Sequence, residues 1–348
     1  MRASMSPRAL VVVPTLNEAA HIEGVLKRLL ETASDSLRLQ VVVADGGSED
    51  ATCQLVGDWA RRDPRVRLLH NSARIQSAAV NLAVRRFGEE NDVLIRCDAH
   101  ADYPANFCAR LVETLERTQA DAVVVPLDSY GETPLQRAIA WVSNSPVGTG
   151  GSAHRAGTKS GLVDHGHHAA FRMRSFRAAG GYDQSFTHNE DAELDCRQRA
   201  LGARIYLDAE LRVGYSPRKT LTALYRQYFK YGEGRSRTVR RHPHSLRLRQ
   251  LAVPGHLTLS LLAVLAAPWL AWALLWPALY LAVLCAVCCK LAVQHRSVNA
   301  LLGVAAAMTM HTAWALGFFT GLAAHRERLW ARHMAVPLRL RPITGEIS

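Results

Sequence analysis

Charge is missing from two long stretches of this 348-residue chain: no Asp, Glu, Lys or Arg occurs from Leu251 to Cys289, and none from Ser297 to His325. A span needs roughly 20 apolar residues, and runs this long exceed ordinary core helices, so a hairpin buried in a soluble core is disfavoured. The first run fits two spans turning near Trp276-Pro277 and the second fits one. Residues 250–325 are expected to hold two to four transmembrane helices, with three the expected number. Trp269, Trp272, Trp276, Trp314 and Trp330 suit interfacial or packing positions. Acidic residues are nearly absent from 218–249, where ten basic residues accompany only Glu233, a net of +9, whereas 1–217 carries 25 basic and 27 acidic residues. The formal charge of +12 is therefore a local collar beside the apolar runs. It does not cover a folded face, so no nucleic-acid partner is expected.

Lys and Arg flanking a span favour the cytoplasmic side and attract anionic lipid, which puts residues 1–217 in the cytosol at an inner (cytoplasmic) membrane. Three spans would then send Arg326, Arg328, Arg332, Arg339 and Arg341 of the basic tail, 326–348, to the far side, against the same rule. Close cysteine pairs are also missing from residues 1–217. Cys53, Cys97, Cys108 and Cys196 are scattered, and Cys285, Cys288 and Cys289 lie inside an apolar run with no second ligand pair, which fits a reducing compartment and membrane packing. The apolar run before Pro14 has five residues, too few for a signal-peptide core. No GxGxxG follows the first apolar run and no Walker lysine is present, so dinucleotide and P-loop sites are unsupported.

What is present is an alternation. The runs 9–13, 39–44, 66–70, 92–97 and 121–126 are β-branched and read as strands buried on both faces. Between them, 18–33, 51–62, 75–87 and 104–117 carry helical spacing, as in Ile22, Val25, Leu26, Leu29 and Leu30. This pattern predicts an α/β fold with a mostly parallel central sheet, followed by the C-terminal helices. Ligands of such sheets bind past the carboxyl ends of the strands. There the sequence puts Pro14, Thr15, Asn17 and Glu18; then Asp45; then Asp98, His100 and Asp102 in LIRCDAHADYP. Asp98 and His100, two apart on an extended strand end, can offer oxygen and nitrogen to Mg or Mn, which would bridge a diphosphate. Asp45 suits a base or ribose donor, and equally a helix N-cap.

Farther on, 161–207 reads as a strand, a Gly-Gly turn and a helix opening at Asn189-Glu190-Asp191. Glu190 and Asp191 are either first-turn charges favoured by the helix dipole or, for Asp191, a general base on a rigid helix start. His165, His167 and His168 are left with three readings: metal ligand, phosphate contact or plain hydrogen bonding. Leu221, Leu224, Tyr225, Tyr228 and Phe229 form an apolar stripe flanked by Arg226 and Lys230, so 218–249 is expected to be an amphipathic interfacial segment. Arg235, Arg237, Arg240 and Arg241 would there meet the diphosphate of a lipid-linked acceptor, although a solvated basic linker explains the charge equally well.

The ordered motifs VVVPTLNE, VVVADGGSED, NSARIQSAAVNLAV, RCDAHADYP, FRMRSFRAAGGYD and HNEDAELDCRQRALG resemble family 2 glycosyltransferases of GT-A fold over about residues 8–245. The HGHHAAF segment and apolar C-terminus resemble the succinoglycan biosynthesis protein ExoA group within that family. The resemblance implies that Pro14, Thr15, Asn17, Glu18 and Asp45 hold the uridine of a UDP-sugar, with Arg74, Gln76 and Asn81 near the donor. It makes Asp98 the first Asp of the DxD motif, with His100 where the second Asp stands in the family and Asp102 as a substitute ligand. Glu190-Asp191 matches the ED pair, with Asp191 the base. The QxxRW motif of related synthases survives only as Gln227 to Tyr231, which argues against processive polymer extrusion, and Gln227, Lys230 and Tyr231 are expected with the arginines at the acceptor or its diphosphate.

The expected function is transfer of a hexose, glucose from UDP-glucose, onto a polyprenyl-diphosphate-linked saccharide in exopolysaccharide assembly, by inversion and with a divalent metal. The other members of a polysaccharide assembly pathway would be its partners. The alternatives are transfer to a polyprenyl phosphate or glycolipid, and a non-catalytic membrane scaffold with a degenerate GT-A domain. The sequence divides into 1–217 (catalytic), 218–249 (interfacial), 250–325 (membrane) and 326–348 (tail).

Overall fold

A computed structural model describes residues 6–31, 37–150 and 158–340. The chain divides into two compact units: residues 1–127, 157–214 and 331–348 in the first, and 128–156 and 215–330 in the second.

In the first unit, β1 (Arg8–Thr15), β2 (Arg38–Asp45), β3 (Val66–His70) and β4 (Val93–Arg96) run parallel, joined by helices α1 (Ile22–Leu30), α2 (Thr52–Arg62) and α3 (Gln76–Phe87). The β-branched strands are buried along almost their whole length, and α1 buries Ile22, Val25, Leu26, Leu29 and Leu30. Its Glu23 sits in the first turn and Lys27 and Arg28 in the last, as the helix dipole favours. After α4 (Phe107–Thr118) come β5 (Ala122–Val125) and β6 (Leu127–Ser129).

The chain then leaves for α5 (Pro134–Ser143) and α6 (Pro146–Thr149), which belong to the second unit. It returns with β7 (Gly161–Leu162), β8 (His167–Arg172), α7 (Met173–Ala178), α8 (Glu190–Ala200), β9 (Ile205–Leu207) and β10 (Val213–Tyr215). The eight-stranded sheet has the order β3-β2-β1-β4-β8-β5-β9-β7, while β6 and β10 pair separately. The sheet is mostly parallel, as expected from the alternation. Its departures are β8, inserted antiparallel between β4 and β5, and the edge strand β7, antiparallel to β9. Because β8 runs backwards, its first residue, His167, lies at the edge where the parallel strands end.

The first unit also takes up the end of the described chain. Leu338 N–H donates to the Arg177 carbonyl at 2.8 Å, and Arg177 Nε donates back to the Leu338 carbonyl at 3.3 Å. Leu340 and Val336 approach Gly88 and Gly180, the latter at φ +86°, so closely that a methyl group at either would crowd them.

The second unit is helical. It adds α9 (Leu221–Arg241), α10 (Leu248–Ala266), α11 (Leu275–Gln294) and α12 (Gly303–Ala324) to α5 and α6. Among the described residues three helices are long and apolar enough to cross a membrane: Leu248–Ala266, Ala271–Gln294 and Val298–Ala324. A capping box, Thr133 with Gln136, and Pro134 in the first turn start α5, and the Thr220 hydroxyl caps α9. The apolar stripe of α9 is partly covered: Leu224 is buried in a cluster with Ile139, Val142, Ala306, Ala307 and Met310, with Leu221 and Tyr228 packed on it, while Tyr225 is exposed.

Farther along, α9 meets α12 backbone to backbone. A methyl group at Gly232 would strike the Trp314 carbonyl, and one at Gly317 the Phe229 carbonyl. Gly317→Ala is therefore expected to destabilise the protein by about 1–3 kcal/mol, the usual cost of overpacking. Gly24→Ala, in helix α1 with nothing within 4 Å of the new methyl, should stabilise it by about 0.5–1 kcal/mol. Denaturant unfolding of the detergent-purified variants checks both signs, and equal effects would contradict the close approach.

Candidate active site

Three parallel strands deliver their carboxyl ends to one sheet edge, and most residues singled out in the sequence lie there. Asp45, at the end of β2, is buried and folded onto its own loop. Its carboxylate accepts from the N–H groups of Gly47 and Ser48 (2.8 and 2.9 Å) and from the hydroxyls of Ser48 (2.5 Å) and Thr15 (3.3 Å). Burial pushes this carboxyl up, but the bonds from Ser48, Cys53 and Gly47 outweigh it and hold it below the usual range.

The loop after β1 is laced to the same segment. Asn17, at φ +57°, donates its N–H to Ser48 Oγ (2.8 Å) and accepts from Glu49 N–H (2.8 Å), while Glu18 N–H donates to Thr52 (2.9 Å). The N-cap position of α2 is Ala51, and Asp50 just before it accepts from Thr52 N–H at 3.0 Å. Gly46 passes between the Thr15 carbonyl and the backbone of Arg74, itself at φ +58°, and Pro14 is part-exposed beside Thr15.

The second group surrounds Arg96, the last residue of β4, whose guanidinium is buried. Nη1 donates to Asp191 Oδ1 at 2.5 Å and lies 3.6 Å from Glu190 Oε1, while Nη2 is 3.6 Å from Asp98 Oδ1. The Tyr182 hydroxyl donates to the same Asp191 oxygen at 2.8 Å, and Gln76 Nε2 donates to Asp98 Oδ1 at 2.7 Å. Burial works against the Arg96 charge, yet Asp191, Tyr182, Asp98 and Glu190 hold its pKa well above the ordinary value. Burial likewise opposes the Asp98 charge, and Arg96, His167 and His100 outweigh it. Glu190 goes the other way: burial and the charge of Asp191 push it up to about 7, against the pull of Arg96.

The histidines divide differently from the sequence expectation. His100 turns its Nδ1 to Glu18 Oε1 at 2.9 Å, and His167 joins the group with Nε2 3.7 Å from Asp98 Oδ2. His165 Nδ1 lies 3.8 Å from the buried Asp195. The side chain of His168 is outside the described residues. Asp102 is exposed and pairs its backbone with Gly214.

Asn81, expected near the donor, commits both amide atoms to the Tyr182 backbone (2.7 and 2.9 Å), which fixes the turn that carries Tyr182. The residues expected to meet the acceptor diphosphate have partners within the second unit. Gln227 donates to the Tyr215 hydroxyl at 3.0 Å, Lys230 to Glu233 at 2.7 Å, and Tyr231 stacks edge-on with Tyr228. Arg235 is buried against the Ser245 carbonyl and Gln250, and Arg237 and Arg241 share Glu327. The structure gives these arginines a structural use, because they tie the start of α10 and the end of the helical region to α9.

Residues 10–180 match the family described as Glycosyl transferase family 2. The chain is 42% identical to succinoglycan biosynthesis protein ExoA of Rhizobium meliloti (strain 1021) over 325 residues, 93% of this chain and 98% of that protein. The chain belongs to glycosyltransferase family 2. A shorter match, 28% identical over 112 residues, covers 31% of the chain and 41% of polyprenol monophosphomannose synthase from Mycolicibacterium smegmatis. Among solved structures, the mannosyltransferase PcManGT from Pyrobaculum calidifontis, in complex with GDP-Man and Mn2+, superposes with a TM-score of 0.59 at 20% identity. That superposition covers 92% of this chain and 88% of PcManGT, and it shows the shared GT-A fold.

Glycosyltransferases of this fold invite the question of a divalent cation. Among the described residues no group of three or more His, Cys, Asp or Glu side chains is arranged to hold one. Asp98 and His167 nonetheless fit as a two-ligand set. Bonds of roughly 2.0–2.2 Å to a shared ion place ligand atoms about 3–4 Å apart, and Mg2+ in particular binds through one or two protein side chains plus substrate phosphates.

Sequence reasoning missed two members of this ionic cluster, Arg96 and Tyr182. The available signals were an arginine closing an otherwise apolar strand and a tyrosine directly after Gly180-Gly181.

The raised pKa of Glu190 has a thermodynamic consequence. Protonation favours the folded state, so this group's contribution is in place below about pH 4.5 and is lost as pH rises through about 7. Glu190→Gln is expected to raise the unfolding temperature over wild type by a few degrees at pH 8.5 and by less at pH 5. A difference independent of pH, measured by thermal unfolding in detergent, would contradict the burial of this carboxyl.

Proposed function

We propose that this family 2 enzyme is a membrane-bound inverting hexosyltransferase that moves glucose from UDP-glucose onto a polyprenyl-diphosphate-linked saccharide in exopolysaccharide assembly, with its catalytic unit in the cytosol. The observation that carries the reading is the ionic network joining Asp98, at the end of a buried strand, to Asp191, on the first turn of a helix. In this reading the network ties a diphosphate-side carboxylate to a proton acceptor through one buried guanidinium. The likeness to ExoA over nearly the whole of both chains supports the pathway class.

In the proposed reaction the acceptor hydroxyl attacks the anomeric carbon, the bond from that carbon to the diphosphate oxygen breaks, and the hydroxyl proton passes to Asp191. Arg96 and Tyr182 fix the Asp191 carboxylate for this step. Glu190, titrating near neutrality, sets the charge beside it, so the two carboxyls ionise as a coupled pair. Pro14, Thr15, Asn17, Glu18, Asp45 and Arg74 form the uridine end of the pocket, and Gln76 holds Asp98 toward the diphosphate. Asp98 and His167 would hold a Mg or Mn ion, which when bound neutralises charge developing on the departing UDP.

Membranes containing the enzyme are incubated with labelled UDP-glucose, other UDP-hexoses or GDP-mannose, and with polyprenyl-phosphate or polyprenyl-diphosphate-saccharide acceptors. Transfer from UDP-glucose to the diphosphate-linked saccharide is expected, lost in chelator and restored by Mn2+. Asp191→Asn should lower it roughly 10²–10⁴-fold, the usual worth of a general base, and Asp98→Ala should abolish the metal dependence along with the rate. Glu190→Gln should remove the rise in rate through about pH 7. Undiminished transfer by Asp191→Asn would remove the base assignment.

A further inference from the structure

We infer that the chain crosses the membrane twice, through the α10–α11 hairpin alone, and that α12 stays on the catalytic side, held against α9. This rests on reading the apolar helices as membrane helices, and three separate observations carry it.

The first is parity. The chain leaves the first unit after Gly214 and rejoins it at Ala331, and residues 336–340 are bonded and packed onto Arg177, Gly88 and Gly180 of that unit. Both ends of the helical region therefore lie on one side, which requires an even number of crossings, whereas three spans would be odd.

The second is what α12 packs against. Phe229 meets Gly317, Gly232 meets Trp314 and Phe318, Glu233 and Ser236 meet Gly321, and Arg240 donates to the carbonyls of Leu322 and His325. Residue numbers rise together, so α9 flanks α12 along most of its length in parallel. Were α12 a span, Arg226, Lys230, Glu233, Arg235 and Arg237 of α9 would be carried to bilayer depth, where charged side chains are rare and costly. Burial separates the helices in the same way: 44% of the α12 window is buried within the protein, against 11% for each of the other two. The exposed residues of α12, Met308, Leu316, Phe319 and Leu322, fall along one stripe that suits a leaflet surface.

The third is where the hairpin begins and ends. Arg249, at the start of α10, donates to the Gly150 carbonyl, and His295, just past α11, stacks on Trp141 of α5 at 4.5 Å. Both mouths of the hairpin thus touch the 128–156 excursion. Helices α5 and α6 are too short to span, which keeps that excursion on the catalytic side. Helices of 19 and 20 residues reach about 28–30 Å, matching the hydrocarbon core. Trp269 and Trp272, 84% and 67% exposed at the turn, suit the opposite interface.

The test uses full-length protein in its native membranes and a maleimide that cannot cross them. Ala271→Cys (hairpin turn), Arg328→Cys (tail) and Arg62→Cys (catalytic unit) are labelled from each side, with wild type as the blank for native cysteines. The expected result is that Arg328→Cys and Arg62→Cys react from one side and Ala271→Cys from the other. Reaction of Arg328→Cys from the side of Ala271→Cys would overturn the two-crossing topology while leaving the membrane reading intact. Release of the protein by alkaline carbonate would sink both. Trypsin on the unmodified chain in right-side-out membranes gives an independent readout. The peptides after Arg326 should be protected until detergent is added, and their release without detergent would overturn the inference.

Discussion

A guanidinium buried at the end of an apolar strand is the constraint around which the catalytic unit is built. An isolated charge in that position would be prohibitive, and it is tolerated only when paired and hydrogen-bonded. Arg96 is paired on three sides, by Asp98 two residues past the end of its own strand and by Glu190 and Asp191 at the head of α8. The pairing sets the distance between a strand end and a helix start that are far apart in sequence. Tyr182 closes the same network, and Asn81 holds the Tyr182 backbone from α3. The arrangement thus reaches from the sheet through two helices and a turn.

The charge balance of this network explains why its carboxylates differ. One guanidinium serves three acids. Asp191 takes the close contact, Asp98 draws also on His167 and Gln76, and Glu190, buried beside an ionised neighbour, is left with the raised pKa. Asp45 shows the other way to hold a buried carboxylate, through N–H and hydroxyl donors of its own loop instead of a cation. The two devices sit at the ends of β2 and β4, which flank β1 in one sheet, where a parallel α/β fold puts its ligands.

Much of this was legible in the sequence because the signals were local. The strand and helix alternation through Thr118 follows from β-branched runs and from apolar spacing, and the acids at the strand ends follow from where those runs stop. What escaped depends on pairing between distant segments. That β8 enters antiparallel between β4 and β5 cannot be read from HHAAFR, yet it is this reversal that brings His167 to Asp98. Likewise the grouping of 128–156 with the C-terminal helices, and the return of 331–340 to the first unit, carry no local mark. The arginines of α9 were legible as charge, but their partners Glu327, Ser245 and Gln250 were not.

The central claim is that Arg96 is held by, and in turn holds, three carboxylates. It is tested most directly by unfolding Arg96→Met and the double variant Arg96→Met/Glu190→Gln at pH 7.5. Removing one partner of a buried ionic group costs about 3–5 kcal/mol, because the other charges are left unpaired. The expected result is a loss of that order in Arg96→Met, with part of it recovered when the Glu190 charge is also removed. An Arg96→Met protein as stable as wild type, or a double variant no more stable than the single one, would contradict the account.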